Sequence, residues 1–276
     1  MSLIVASILV LMFLNLVLGS VSIPLKSVWN IICGLGDEPV TWQNIVWKSR
    51  LPQALTALVA GAGLAISGLQ MQTVFRNPLA GPSVLGISSG ASMGVAFVVL
   101  LSGSLGGVAL SKLGFMGEIA LSIAAVIGSL SVMALIVYVS QKVKGNVTLL
   151  IIGVMIGYVA NAVIGVLKFF SVEEDIRAYV IWGLGSFSRV SGNQMMLFVA
   201  IMAILIPLSF LLIKTLNLML LGDGYARNLG LNIKRARLLV ITSAGVLTAI
   251  VTAYCGPVIF LGRPAPVPGH LSNIRP

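Results

Sequence analysis

Few residues in this 276-residue chain are equipped for chemistry. One histidine, His270, lies near the C-terminus, and the seven acids are Asp37, Glu38, Glu118, Glu173, Glu174, Asp175 and Asp223. All of them fall in loops or at the edges of apolar stretches. Cys33 and Cys255, both in apolar surroundings, give neither a disulfide framework nor a metal-ligand spacing. No G-x-x-x-x-G-K-[ST] phosphate cradle occurs, so any ATP hydrolysis must come from another chain. The sequence therefore assigns no catalytic residue, no metal and no cofactor. What remains is recognition by charge and shape. Arg50 precedes Leu51-Pro52 at the head of an apolar stretch, and a polar run from Asp223 to Gly230 separates two others.

The elements that position these residues follow from composition. Hydrophobic residues make up 58% of the chain and charged residues 9%, against roughly a quarter charged in soluble domains. So few charges cannot cover a soluble surface, which excludes a soluble enzyme, a disordered chain and a secreted disulfide scaffold. The net charge of +10 fits basic loops at an anionic membrane surface and needs no nucleic acid. Seven stretches are apolar and long enough to cross a bilayer as helices, at about 2–19, 52–74, 84–102, 119–140, 148–167, 195–213 and 238–255. The first has no preceding Lys or Arg and no following A-x-A pattern, so it reads as a retained span.

Seven spans place the N-terminus and residues 75–83, 141–147 and 214–237 on one side. That side carries Arg76, Lys142, Lys144, Lys214, Arg227, Lys234, Arg235 and Arg237. The other carries Lys26, Lys48, Arg50, Lys112, Lys168, Arg177 and Arg189. The positive-inside rule favours a cytoplasmic N-terminus by this narrow margin. Polar groups at membrane depth are limited to residues such as Asn15, Gln70, Gln72 and Asn161, with no acid or histidine among them. An ion-coupled transporter usually needs such a group, so the pattern favours a subunit energised from elsewhere. Small residues recur at four-residue spacing in Ala57/Gly61/Ala65, Gly86/Gly90/Gly94 and Gly153/Gly157, which predicts close helix packing in lipid.

Two loops on the proposed cytoplasmic side carry more information. In the run from Gln72 to Ala91, Pro78 and Pro82 break one helix before the next begins, with Asn77 and Ser83 placed to satisfy exposed backbone groups. In the run from Leu216 to Asn232, Asp223 opens a short helical stretch and Gly230 closes it. Such a helix is either a turn on the membrane surface or a rigid knob that docks into a partner.

Several motifs, in order, resemble one family. They are Arg50-Leu51-Pro52-Gln53 leading into Ala60-Gly61-Ala62-Gly63-Leu64-Ala65-Ile66-Ser67-Gly68, then Asn77-Pro78-Leu79-Ala80, then Leu85-Gly86-Ile87-Ser88-Ser89-Gly90-Ala91. Trp182-Gly183-Leu184-Gly185-Ser186-Phe187 and Leu221-Gly222-Asp223 with Ala226-Arg227-Asn228-Leu229-Gly230-Leu231 follow. Together they closely resemble the permease subunits of ABC importers for iron-siderophores, haem and cobalamin, over about residues 1–262.

The resemblance implies an all-α integral membrane protein, a helical bundle of the type II importer permease kind. It implies a multi-pass subunit of the bacterial inner membrane, paired with a second copy of itself. An ATP-binding subunit would bind on the cytoplasmic side, and a substrate-binding protein would deliver a metal-chelate, haem or cobalamin cargo from outside. Asp223, Tyr225, Ala226, Arg227, Leu229 and Gly230 would form the coupling segment toward the ATPase. Arg50 would pair with a carboxylate on the binding protein, or serve as a snorkelling anchor. Gln53 stands where family members often carry a second arginine.

The family commonly has ten spans, and this chain supplies seven. After Gly262 it reads Arg263-Pro264-Ala265-Pro266-Val267-Pro268-Gly269-His270, whose prolines do not suit a span. The expectation is a permease domain over 1–262 and an aberrant tail over 263–276, from a shifted frame or truncation, with His270 incidental. The competing readings are an ion-coupled secondary transporter and a non-functional truncated paralogue.

Overall fold

The computed structural model describes residues 2–19, 21–35, 38–104, 115–143, 146–190 and 192–258. The 263–276 tail, including His270, lies outside the described residues, as do Asp37, Lys112 and Lys144. Among the described residues there is no strand. The helices are α1 (Ser2–Val17), α2 (Leu25–Cys33), α3 (Val40–Ile45), α4 (Leu51–Phe75), α5 (Ile87–Ser104), α6 (Phe115–Lys142), α7 (Asn146–Phe169), α8 (Glu173–Gly183), α9 (Gly192–Phe210), α10 (Ile213–Leu220), α11 (Asp223–Asn228) and α12 (Ile233–Cys255).

Each of the seven expected spans falls on a helix. Five helical stretches among the described residues are long and apolar enough to cross a membrane: Val40–Phe75, Gly117–Lys142, Thr148–Phe169, Gly192–Phe210 and Ile233–Cys255. Ser2–Val17 and Ile87–Leu101 are apolar but shorter. Helices suit this solvent because each backbone group bonds within its own segment, and lipid offers no other partner. Large apolar side chains consequently remain on the outside, such as Ile127, Met155, Tyr158 and Ile204. This is a multi-pass membrane protein.

Boundaries differ from expectation where backbone chemistry intervenes. The third span starts at Ile87 rather than residue 84, because Pro82–Leu85 forms a 3-10 turn and Gly86 follows with φ +73°. The sixth ends at Phe210, three residues after Pro207, whose ring removes one backbone donor. Leu211 and Leu212 then turn on the carbonyls of Leu208 and Ser209 before α10 begins. The second is extended upstream, since α3 passes into α4 through one π-helical turn over Val46–Arg50. Glu173, Glu174 and Asp175, expected in a solvated loop, form the first turn of α8, where carboxylates suit the helix dipole.

The chain divides into two compact units, with the divisions falling inside α4, after Gly185 and inside α9. The first comprises Met1–Ala60 and Ser186–Ile201. Its small core holds Leu16, Ile23, Val28, Ile31 and Val46, flanked by Trp42 and Leu51.

The second unit comprises Gly61–Gly185 and Met202–Pro276. Its core gathers Met71, Val74 and Phe75 of α4, Leu85, Ile87, Val132, Ile136 and Leu149, Leu216 and Met219 of α10, and Val240, Ile241 and Ala244 of α12. Small residues set the closest approaches. A Cβ on Gly90 would lie 2.7 Å from the Gly128 carbonyl, and one on Gly153 would lie 2.8 Å from the Val84 carbonyl. The rows at Gly86/Gly90/Gly94 and Gly153/Gly157 thus include true contact faces. The Ala57/Gly61/Ala65 row differs, since a Cβ on Gly61 would meet nothing within 4 Å. Hydroxyls join α4 to α12: Ser67 donates to the Ala244 carbonyl at 2.8 Å, and Gln70 Nε2 donates to Ser243 Oγ at 3.2 Å.

Candidate functional site

The polar run after α10 folds as a short helix held between two glycines. Gly222 precedes α11 with φ +104°, and Gly230 follows it with φ +85°, backbone angles that L side chains rarely adopt. At the far end Leu231 N–H donates to the Ala226 carbonyl at 2.9 Å, and Gly230 N–H to the Arg227 carbonyl at 3.0 Å. That pair of bonds is a Schellman closure. The expected start at Asp223 and stop at Gly230 therefore correspond to actual backbone geometry.

One side of α11 packs and the other is displayed. Ala226 is fully buried, whereas Tyr225 is 73% exposed and Leu229 is 61% exposed. Arg227 is exposed as well. Leu220 and Leu221, just before the helix, are also well exposed. An exposed aromatic and leucine beside an arginine form an amphipathic knob, with an apolar centre and a charge at its edge. Anchors of this kind dominate protein interfaces. All six expected segment residues lie within this stretch: Tyr225, Arg227 and Leu229 on the surface, Asp223 at its base, Ala226 in its packed side and Gly230 at its turn.

A residue that the sequence left among the loop charges completes the site. Helix α4 also ends in a Schellman-type turn, with Asn77 N–H donating to the Gln72 carbonyl at 3.2 Å. Arg76 occupies its left-handed position at φ +49°, the one non-glycine with positive φ among the described residues. The equivalent turn after α2, where Leu35 N–H reaches the Asn30 carbonyl, has Gly34 at that position. Holding a non-glycine there costs about 1–2 kcal/mol. From this turn Arg76 Nη2 forms an ion pair with Asp223 Oδ1 and lies 3.5 Å from the Met219 carbonyl. The rest of the loop is locked by Gln72 Nε2 on the Pro78 carbonyl and by an Asx turn at Asn77. The pairing spans 147 positions of sequence, so only the tertiary fold reveals it.

Arg50, in the first unit, is placed differently from an exposed docking charge. It is 5% exposed. Nη1 donates to the carbonyls of Leu16 and Val17, each at 2.8 Å, and Nη2 donates to the Val21 carbonyl. A helix leaves its last carbonyls unpaired, and here one guanidinium serves the C-terminus of α1 and the turn beyond it. Gly19 leaves room for that fork, since a Cβ there would lie 2.8 Å from Arg50 Nη2. Of the acids at the start of α8, Asp175 is 5% exposed, and its Oδ2 has no hydrogen-bond partner among the described residues. Burial, aided by the neighbouring Glu174 charge, raises its pKa above the ordinary 3.8.

Comparison with known proteins adds to this geometry. The FecCD transport family matches residues 7–268. The hemin transport system permease protein HmuU of Yersinia pestis is 32% identical over 260 residues, covering 94% of this chain and 73% of that protein. The vitamin B12 import system permease protein BtuC of Serratia proteamaculans is 35% identical over 233 residues, covering 84% of this chain and 66% of that protein. The chain thus spans about two thirds to three quarters of the length of these curated relatives. Among solved structures, an inward-facing metal-chelate type ABC transporter superposes with a TM-score of 0.73 at 27% identity, over 92% of this chain and 75% of that one.

Proposed function

This chain belongs to the FecCD transport family, and we propose that it is the membrane-spanning permease subunit of an ATP-driven importer in the bacterial inner membrane. Its cargo is an iron-chelate, haem or a cobalamin-type molecule, in keeping with relatives named for hemin and vitamin B12. The subunit works with a second copy of itself, an ATP-binding subunit on the cytoplasmic side and an extracytoplasmic substrate-binding protein. It contributes no ATPase site.

The observation that carries this reading is α11. A six-residue helix between two spans, bracketed by Gly222 and Gly230 and displaying Tyr225, Arg227 and Leu229, suits a cleft on a soluble partner. Closure of the ATP-binding subunits would displace this knob, and α10 and α12, joined to it directly, would tilt with it. Rigid-body rocking of this kind is a standard route to alternating access. Arg50 belongs to the outer rim in this reading. Because its fork is already committed to three carbonyls, it supports docking of the binding protein by fixing the corner after α1.

The test is a binding titration of purified chain, in lipid nanodiscs, with its ATP-binding subunit. Tyr225→Ala with Leu229→Ala should weaken the complex at least tenfold, a loss typical of interface anchors. Unchanged affinity would remove α11 from the interface.

A further inference from the structure

We infer that Arg76 is a positioning residue that ties the displayed helix α11 to the end of span α4, so that displacement of α11 is delivered to α4 as well as to its covalent neighbours. The inference rests on the permease reading above and adds a second mechanical route to it. Three observations converge. First, Arg76 stands at the left-handed closing position of the α4 turn with φ +49°, where the corresponding turns after α2 and α11 have Gly34 and Gly230. A glycine would satisfy the turn without strain, so the turn itself does not call for arginine. Second, the side chain spans from that turn to the first residue of α11, pairing with Asp223, and reaches the Met219 carbonyl at the end of α10. Third, the surroundings can transmit a pull. The Gln72–Pro78 and Asn77–Leu79 bonds fix the turn, and Val74 and Phe75 lie in one core cluster with Leu216 and Met219.

An ion pair with side chains 45% and 43% exposed adds little to stability. Its geometry therefore points to position rather than to fold maintenance. Salt also screens an exposed pair, so its effect should weaken as ionic strength rises.

The test separates the tie from the fold and from the permease reading. Arg76→Gly removes the side chain while suiting the backbone, Arg76→Lys retains the charge, and Asp223→Asn removes the partner charge at nearly constant shape. The transporter is reconstituted in vesicles with its ATP-binding subunit and binding protein, and cargo moved per ATP hydrolysed is measured for each variant. Arg76→Gly and Asp223→Asn should lower this ratio severalfold, with unfolding temperatures at or above the parent's for Arg76→Gly and close to it for Asp223→Asn, while Arg76→Lys retains most of it. An unchanged ratio in Arg76→Gly would overturn the inference, as would a ratio that falls only in step with thermal stability. If the parent itself shows no cargo-stimulated hydrolysis, the permease reading fails instead. The tie is then judged by hydrogen exchange of residues 72–77 in the chain alone: Asp223→Asn should accelerate it severalfold, and unchanged exchange would overturn the tie.

Discussion

Arg50, Arg76 and Asp175 show how far a residue's type falls short of fixing its role. Each is a charge that a linear reading places at a membrane surface or in a loop. Arg50 instead points inward to satisfy the end of α1, and Asp175 sits buried beside Glu174. Sequence adjacency signals neither, because burial depends on segments folded over them. Arg76 carries a weak signal, a bulky residue where the Asn77-Pro78 that follows demands a sharp helix end. The buried carboxyl has a consequence for pH. With its folded pKa raised above the unfolded 3.8, Asp175 favours the native state fully below pH 3.8, and this contribution is lost as pH rises through the folded value. Asp175→Asn should therefore raise the unfolding temperature at pH 7, with the gain shrinking toward pH 4. A gain of equal size at both pH values would contradict the burial account.

The helices themselves were largely legible, because a span in lipid must be apolar over its whole length and that constraint is written locally. All seven expected spans coincide with helices, and the rows at Gly90 and Gly153 mark real close approaches. What was not legible are the short elements. Helices α2, α3, α8 and α10 are too short or too mixed to stand out by hydropathy, and their packing partners lie far off in sequence. Gly128, which faces Gly90, closes the row Ala120/Ala124/Gly128, which has the same four-residue spacing but only one glycine to draw the eye. Helix α1 illustrates dependence on a distant partner, since its terminal carbonyls are served by a side chain 34 positions away. Removing a charged donor to buried acceptors costs about 2–3 kcal/mol. Arg50→Ala should accordingly loosen the corner of residues 14–23 by that amount, read as faster hydrogen exchange there. Arg50→Lys should rescue it only in part, because an ammonium lacks the planar fork. Wild-type exchange in Arg50→Ala would show that water serves those carbonyls equally well.

For the molecule as a whole, the scarcity of acids in the spans, where Glu118 alone enters at the first turn of α6, and a displayed helix between two spans fit one division of labour. In the proposed function the chain supplies a path and a lever, and a partner supplies the energy. The +10 charge fits this division, since five of the basic residues, Lys214, Arg227, Lys234, Arg235 and Arg237, cluster around the lever. In the proposed function they would meet headgroups and the partner's surface, and nucleic acid is not needed to explain them. The central claim is energisation by ATP through α11. Its most direct test is cargo uptake into vesicles holding the chain, its ATP-binding subunit and its binding protein, with ATP and an ion gradient supplied separately. The account predicts uptake that requires ATP, survives collapse of the gradient and falls at least tenfold when Asp223–Gly230 is replaced by a flexible linker. Uptake that follows the gradient without ATP, or no uptake under any condition, would contradict it.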